Sequence, residues 1–346
     1  MENAMQRLNN LIKEKNSRIC AGLDPTWENI PDIVKKESGE LTECFILSER
    51  FSDEEIEGLS EEEKEKIIEE SEINIEEMIF LDYCMQYIEA VQDVVPAIKI
   101  NSAFFEECGL EDCYFEVAQV AKNAGLFVIG DVKRADIGNT SEAYAEAYLG
   151  EDSPFDAITI NPYFGTDGVM PFLKLAKEHG KGVFVLVKTS NKSSAEIQDL
   201  ELKDGRKVYE AVSDLVVHWG KEVDAECYGE DGRPRYPMIG AVIGATHPEQ
   251  AENLLWRMGN IFALVPGYGA QGATADDIAI CFNKEGLGAI VNSSRGIMNA
   301  YKNDRWKDEY SEETWAEAAR AEAIRATDEI NEAIARLYYE DICVKL

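Results

Sequence analysis

Two acids and a lysine that could do acid–base chemistry lie close together in the segment Asp131–Thr140. The apolar run before it predicts a buried strand, on which alternate side chains share a face. Asp131 and Lys133 therefore point to the same side, and Asp136 follows just after the strand end. Neighbouring carboxylates favour the charged form of a lysine, which suits a proton donor rather than a Schiff-base nucleophile. A bare Asp-x-Lys pair is equally typical of a structural ion pair, so the prediction depends on the full ten-residue block.

Two further charged residues stand at predicted strands where they could join this group. Asp24 follows the first apolar run, and Lys99 lies in the middle of the second, with Asn101 on the same face. A lysine inside an apolar strand is costly to bury without a partner of opposite charge. Asp131 on the adjacent third strand is the predicted partner, which places these side chains at one end of the sheet.

Two glycine-rich loops have the composition of a phosphate-binding site. Val265–Gly272 follows the seventh apolar run, and Asn292–Ile297, which contains Arg295, follows the eighth. Glycine lets backbone N–H groups approach an anion, and a guanidinium offers two parallel hydrogen bonds to phosphate. One such loop is weak evidence, whereas two at neighbouring strand ends predict an anion site. The polar loop Lys188–Ser194 after the fifth strand could close over a ligand, or could equally be an ordinary solvated turn.

These groups need a scaffold, and the apolar periodicity predicts a (β/α)8 TIM barrel of the α/β class. Eight runs rich in β-branched residues are mostly separated by segments of helical length, such as the periodic Glu77–Val95. A doubly wound sheet is the alternative, although such sheets usually have about six strands. Barrel enzymes carry their active residues at the carboxyl ends of the strands. The predicted strands are Arg18–Leu23, Ala97–Asn101, Leu126–Lys133, Ala157–Asn161, Gly182–Lys188, Ile239–Ala245, Phe262–Pro266 and Ala289–Asn292.

Two segments exceed the minimal barrel pattern, and both are predicted to be insertions in a single barrel domain of residues 1–346. Residues 34–76, after the first strand, carry acidic runs and a capping-box start at Ser60 that predicts a solvated helix. Residues 191–237 are predicted to form a lid and an insertion between the fifth and sixth strands. Each is too short to bury a comfortable core. Their acidity is interpreted as a contribution to solubility, with a partner surface as the alternative.

Composition limits the classes of partner and compartment. The net charge of -33 argues against nucleic acid and anionic membranes, since both require a basic face. No apolar run is long enough to span a bilayer, and Met1–Gln6 lacks an apolar signal segment. The eight Cys form no C-x-x-C pair, which indicates reduced thiols, and the three isolated His argue against an imidazole-based metal site. We expect a soluble cytoplasmic protein.

Taken together, these segments resemble the orotidine 5'-phosphate decarboxylase family, in particular its longer bacterial form. Asp131–Thr140 matches that family's D-x-K-x-x-D-I-x-x-T signature fully, and the similarity extends through all eight predicted strands but leaves 34–76 unaccounted for. The resemblance implies a homodimeric barrel with each active site at the subunit interface, no metal and no organic cofactor. It also implies a small-molecule substrate, orotidine 5'-phosphate, which loses CO2 to give UMP.

The same resemblance implies a role for each candidate residue. The catalytic group would be a charged tetrad of Lys99, Asp131, Lys133 and Asp136. In this tetrad, Lys133 would deliver the proton that replaces the departing carboxylate. Asp136, joined by Thr140, would reach into the partner's site. The remaining contacts would be Asp24 and Lys99 with ribose hydroxyls, Ser190 (or Thr189) with the pyrimidine, and Gln271 and Arg295 with the phosphate.

Two alternatives share parts of this pattern. A Mg²⁺-dependent relative, such as hexulose-phosphate synthase or keto-gulonate-phosphate decarboxylase, shares D-x-K-x-x-D but works through an enediolate. Lys99, the Ser190 loop and the full Asp-Ile-x-x-Thr ending favour the decarboxylase instead. A non-catalytic sensor of a phosphorylated ligand would show a broken tetrad, and all four residues are present.

Overall fold

The computed structural model describes residues 3–228, 235–246, 248–269 and 272–340, and within them eight parallel strands close into a barrel. Each strand pairs with the next in chain order, and the last returns to pair with the first. The predicted TIM barrel is therefore confirmed, and the doubly wound alternative is wrong. The strands are β1 (Ile19–Leu23), β2 (Ala97–Asn101), β3 (Phe127–Arg134), β4 (Ala157–Ile160), β5 (Gly182–Lys188), β6 (Ile239–Ile243), β7 (Phe262–Pro266) and β8 (Ala289–Ser293).

Helices connect the strands and cover the outside of the barrel. Among the described residues, no helix is both long enough and apolar enough to cross a membrane. The helices are α1 (Ala4–Lys15), α2 (Asp32–Ser48), α3 (Asp53–Gly58), α4 (Glu61–Glu69), α5 (Ile75–Val91), α6 (Ser102–Cys108), α7 (Glu111–Asn123), α8 (Gly138–Leu149), α9 (Thr166–His179), α10 (Ala195–Gln198), α11 (Val208–Val223), α12 (Pro248–Met258), α13 (Ala275–Ala279), α14 (Arg295–Met298) and α15 (Trp315–Ala335).

Side-chain alternation along the strands creates two apolar layers. Inward residues such as Phe127, Phe184 and Ile290 fill the barrel, and Met5 of α1 packs against its amino-terminal end. Outward residues form a second layer with the covering helices. Because apolar side chains fill the lower barrel, inward polar residues are left at the opposite, carboxyl end.

The predicted element bounds agree with the structure to within a few residues. The periodic segment predicted as Glu77–Val95 is α5, which begins earlier because the Asn74 side chain accepts hydrogen bonds from the first free N–H groups of the helix. It ends before the predicted residue because a short turn leads into Pro96 and β2. Strand β3 continues one residue further than predicted, to Arg134.

Residues 34–76, between β1 and the packed helix α5, contain most of one packed helix, α2, and two exposed ones, α3 and α4. In α2, Val34, Ile46 and Leu47 are buried. In α3 and α4 no residue is buried, and α4 begins at the predicted capping box of Ser60. The two helices without a buried residue therefore lie within residues 53–69, which bears on what can be removed without damage.

The segment between β5 and β6 is also packed against the barrel's helical layer. Trp219 of α11 is fully buried, and its indole N–H donates to Thr166 Oγ1 of α9 at 3.0 Å. Residues 229–234 lie outside the described part of the chain. The division into one domain, 1–346, with insertions at 34–76 and 191–237 stays a prediction.

Candidate active site

The carboxyl ends of the strands surround a cavity with a volume of about 430 Å³. Every strand, or the loop directly after it, contributes to the lining, as expected for the functional face of a TIM barrel. Leu186, Val242 and Leu264 belong to or pack on the barrel's inner apolar layer and form the floor. The polar lining residues include Asp24, Lys99, Asn101, Asp131, Lys133, Thr159, Thr189, Ser190, Asn191, Asn292, Ser294 and Arg295.

Lys99, Asp131 and Lys133 form a continuous charged group that we call the lysine–aspartate network. Asp131 Oδ2 accepts a hydrogen bond from Lys99 Nζ, and Asp131 Oδ1 accepts one from Lys133 Nζ, both at 2.6 Å. Asp24 Oδ1 lies 3.8 Å from the Lys99 nitrogen. Lys99 and Asp131 are buried, whereas half of the Lys133 side chain is exposed. The network therefore has one ammonium that a ligand can reach, that of Lys133, while its other two groups are buried.

Burial and charge act in opposite directions on this network, and charge dominates. Burial alone would lower the pKa of Lys99, but the carboxylates of Asp131 and Asp24 raise it above its ordinary value. Burial alone would raise the pKa of Asp131, but the ammonium groups of Lys99 and Lys133 hold it well below its ordinary range. Asp131 is therefore an anion at neutral pH, as the predicted pairing with Lys99 requires.

The β3 backbone departs from a regular strand at Lys133. Its φ is +44°, in the left-handed region that residues with a side chain seldom adopt. The pairing register with β4 also shifts between Gly130 and Arg134. A regular strand was predicted through Lys133, and β3 differs from it in this irregularity as well as by one residue at each end. Backbone strain of this kind is concentrated at functional sites.

Asp136 and Thr140 are not among the described residues that line the cavity. Asp136 lies in the loop after β3, partly exposed, where its Oδ1 accepts a hydrogen bond from the Ile137 N–H at 2.8 Å. Thr140 is exposed in the first turn of α8. Asp136 thus lies past the strand end as predicted, but within a single chain it does not line the cavity that Lys133 lines.

The loops after β7 and β8 hold the predicted anion-binding groups. Arg295 is exposed and lines the cavity together with Gly267 and Ser294. No carboxylate of a described residue pairs with its guanidinium, so its charge is not neutralised within that part of the chain. Close packing against β1 fixes the loop after β8, because a Cβ on Gly22 would lie 1.8 Å from Ser294 Oγ. Gln271, the other predicted phosphate ligand, lies outside the described residues.

A buried ion pair anchors the loop after β5. Lys188 is only 1% exposed, and its Nζ donates to both carboxylate oxygens of Asp199 at 3.0 Å. The same nitrogen lies 3.3 Å from Ser194 Oγ and over the Tyr209 ring. This ion pair thus connects the far end of the loop, at Asp199, to Lys188 at the end of β5.

Within this loop the two candidate pyrimidine ligands differ in availability. The Thr189 hydroxyl donates to Asn191 Oδ1 at 2.6 Å and accepts from Gln198 Nε2 at 2.7 Å. A hydroxyl has one proton to donate, so Thr189 has none left for a ligand. Ser190 also lines the cavity and is the better candidate of the two.

Thr159 and Asn292 are among the lining residues that received no role from the sequence. Thr159 is the polar residue of the otherwise apolar β4, and its inward position in that strand was the available signal. Asn292 ends a predicted strand, and its buried Oδ1 has no hydrogen-bond partner among the described residues. The same holds for Oδ1 of Asp24. Both oxygens can therefore accept hydrogen bonds from a ligand.

Comparison with known proteins agrees with this geometry. Residues 17–306 match the model of the orotidine 5'-phosphate decarboxylase / HUMPS family. The chain is 36% identical over 333 residues to the orotidine 5'-phosphate decarboxylase of Rhodopirellula baltica, covering 94% of this chain and 97% of that one. It is 40% identical over 314 residues to that of Caldicellulosiruptor bescii, covering 88% and 92%. The structure of Leishmania donovani OMP decarboxylase aligns with a TM-score of 0.65 at 26% identity, covering 96% of this chain and 99% of that one. This chain therefore belongs to the orotidine 5'-phosphate decarboxylase / HUMPS family.

Proposed function

We propose that this protein is a carboxy-lyase that converts orotidine 5'-phosphate into UMP and CO2 in de novo pyrimidine biosynthesis. The observation that carries the proposal is the lysine–aspartate network, whose accessible ammonium shares a cavity with Arg295. One cavity thus holds both a proton donor and a cation suited to phosphate. The relatives from R. baltica and C. bescii bear the name of this enzyme and are matched over almost their full length.

Lys133 acts at the carbon that loses CO2. The bond from C6 of the pyrimidine to the carboxyl carbon breaks, and its electron pair stays on C6. The Lys133 ammonium stabilises that negative charge as it develops and then transfers a proton to C6, which gives UMP. Asp131 Oδ1 orients the ammonium through its 2.6 Å hydrogen bond and favours the charged form. These steps use only side chains of the protein and no cofactor.

The other candidate residues bind the substrate at a distance from the reacting carbon. We assign the ribose hydroxyls to Asp24 and Lys99, the pyrimidine to Ser190, and the phosphate to Arg295 with Gln271. Asp24 supports this assignment, since its buried Oδ1 has no hydrogen-bond partner among the described residues and lies 3.8 Å from Lys99 Nζ. Binding energy from the remote phosphate can then be used at C6, which is how a cofactor-free site achieves a difficult decarboxylation.

Asp136 and Thr140 are assigned to the active site of a partner subunit in a homodimer. The exposed apolar side chains of Ile137, Tyr163 and Phe164 support this proposal, with 53%, 83% and 49% of each accessible. Asp136 and Phe164 lie on the same rim, because both flank the position where a Cβ on Gly168 would lie. An apolar rim around Asp136 is the surface that a second copy would cover.

The expected compartment and the absence of polymeric partners also belong to the proposal. We place the enzyme in the cytoplasm, and we assign it no nucleic-acid or membrane partner. The net charge of -33 supports the absence of nucleic-acid and membrane partners, because it repels phosphate polymers and anionic lipids.

A continuous ultraviolet assay of orotidylate loss, with and without EDTA, tests the proposed activity. Decarboxylation that is unchanged by EDTA is the expected result. Turnover that EDTA abolishes would favour the Mg²⁺-dependent relatives, and binding without turnover would favour the phosphate-ligand sensor. Among the described residues, no three His, Cys, Asp or Glu side chains come together as a candidate metal site.

A further inference from the structure

Thr159 of β4 contacts the lysine–aspartate network from the neighbouring strand, and no step of the proposed function uses it. It is 2% exposed and lines the cavity. Its Oγ1 donates a hydrogen bond to Asp131 Oδ1 at 2.9 Å and accepts one from the backbone N–H of Lys133 at 3.1 Å. An ionised carboxylate can only accept, and a backbone N–H can only donate, so the direction of both bonds is fixed.

The backbone at Lys133 needs such a partner. From Gly130 to Arg134 strand β3 advances four residues, while the paired residues of β4 advance only two, from Ile158 to Ile160. Two residues of β3 are therefore extra at this point, and the regular ladder supplies no carbonyl for the Lys133 N–H. An N–H group without a partner in this partly buried position is costly, and the Thr159 hydroxyl provides that partner.

The backbone conformation of Lys133 is also unusual for its residue type. Its φ of +44° places it in the left-handed region, where the described residues include one other non-glycine residue, Asn16. Asparagine tolerates this region because of its short polar side chain, whereas lysine has no such advantage. A strained conformation persists only where its surroundings hold it in place. At Lys133, the hydrogen bond to Thr159 is a contact that can do so.

We propose that Thr159 is a positioning residue for the proton donor. Its hydroxyl holds the left-handed turn at Lys133 and, through the same oxygen, the carboxylate to which the ammonium is hydrogen-bonded. Thr159 thereby fixes the Lys133 backbone directly, and it fixes the Lys133 side chain through Asp131. This inference rests on the proposed decarboxylase function, because it concerns the residue that donates the proton there.

Two substitutions separate the hydroxyl from the methyl group of Thr159. Thr159→Val keeps the shape and removes both hydrogen bonds, whereas Thr159→Ser keeps the hydroxyl and removes the methyl group. We expect the valine variant to lose kcat by about 100-fold or more, as a displaced reacting group does. Its KM should change by less than about threefold, since the substrate contacts remain, and the serine variant should keep kcat within about fivefold of wild type. Thr159→Ala also removes the hydroxyl and gives the same test should the valine variant not fold.

Crystal structures of the same variants give a readout that does not depend on activity. We expect Lys133 to leave the left-handed region in the valine variant and to keep it in the serine variant. The proposal is overturned if the valine variant retains kcat, if serine and valine are equally impaired, or if the loss appears in KM alone. It is also overturned if Lys133 keeps its positive φ without the hydroxyl. If wild-type protein fails to decarboxylate orotidylate, the proposed function fails, while the structures still decide what Thr159 does to Lys133.

Discussion

At the residue scale, the site is organised around a single carboxylate. The oxygens of Asp131 accept hydrogen bonds from Lys99, Lys133 and Thr159. The two ammonium groups of Lys99 and Lys133 hold the pKa of Asp131 below its ordinary range although burial opposes this. A carboxylate so strongly fixed as an anion is unsuited to donate or accept the reaction's proton, which leaves Lys133 as the group that moves it.

Lys133→Ala should therefore abolish turnover without removing ligand binding. We expect kcat to fall by about 10³-fold or more, because the ammonium acts chiefly in the transition state. Binding of the product UMP should persist, since ribose and phosphate ligands are untouched. Steady-state kinetics and calorimetric titration with UMP measure the two effects, with the exposed Lys203→Ala as the control. Activity within about tenfold of wild type would remove Lys133 from its role.

Arg295→Ala should affect only substrates that carry a phosphate. We expect kcat/KM for orotidylate to fall by roughly 10- to 100-fold, the worth of a charge-assisted hydrogen bond or two. Residual turnover of orotidine, the nucleoside without phosphate, should hardly change. Both substrates are measured with the variant and with the exposed Arg305→Ala as the control. An equal loss for both substrates would mean that Arg295 serves the fold.

The sequence predicts the ionic contacts of the site better than its neutral ones. Strand alternation places Asp131 beside Lys133, and the cost of burying Lys99 in an apolar strand is enough to identify Asp131 as its partner. The hydroxyl of Thr159 gives no comparable signal, because threonine is common in strands for its branched shape alone. The positive φ of Lys133 is likewise invisible, since the residue type argues against it.

At the element scale, close packing fixes the loop after β5, which carries the proposed pyrimidine ligand Ser190. The buried ion pair of Lys188 with Asp199 ties the loop after β5 to the end of that strand. Gly244, directly after β6, lies against that loop, because a Cβ there would be 2.9 Å from the Ser190 nitrogen. The sequence predicted a lid or an ordinary turn here, and the anchoring contacts come from residues too far along the chain for local patterns to reveal.

Gly244→Ala should impair the enzyme through the position of Ser190. The added methyl group would lie 3.0 Å from the Ser190 Cα and 3.1 Å from its Cβ, so the loop must move. We expect kcat/KM to fall by about tenfold or more, as small displacements of binding groups do. Kinetics of the variant are compared with those of Gly58→Ala, where a Cβ meets nothing within 4 Å. Unchanged kinetics would show that the loop absorbs the shift and that Ser190 is not held there.

Removal of the exposed helices between β1 and β2 should leave catalysis intact. Replacing residues 52–72 by a short Gly-Ser linker deletes α3 and α4, in which no residue is buried. We expect unchanged kcat and melting temperature, because surface loops tolerate changes of length. A deletion of residues 40–72 also takes Ile46 and Leu47, which are buried in α2, and should cost about 2–5 kcal/mol for each. Loss of activity in the shorter, folded deletion would mean that these helices act at the site.

At the scale of the whole molecule, the cavity of one chain lacks two of the residues that we propose serve it. Asp136 and Thr140 lie on the rim of the barrel, where the exposed side chains of Ile137 and Phe164 are close to Asp136. The sequence places Asp136 in the signature block but cannot show which chain it serves, because an interface leaves no periodic pattern. A two-fold arrangement would complete two sites at once, since each chain would contribute Asp136 and Thr140 to the cavity of the other.

Mixed dimers test this arrangement directly. If Asp136 works across a two-fold interface, Lys133→Ala and Asp136→Ala proteins should each be nearly inactive alone and should recover activity when mixed and reassociated. In a mixed dimer one site gathers both substitutions, while the other receives Lys133 from one chain and Asp136 from its partner. Random pairing makes about half of the dimers mixed, each with one intact site of two, so activity should approach roughly a quarter of wild type. Tagged subunits confirm the exchange, and each variant mixed with itself is the control. A mixture that exchanges subunits and stays inactive would assign Asp136 to its own chain, and the exposed rim would then need another explanation than a shared active site.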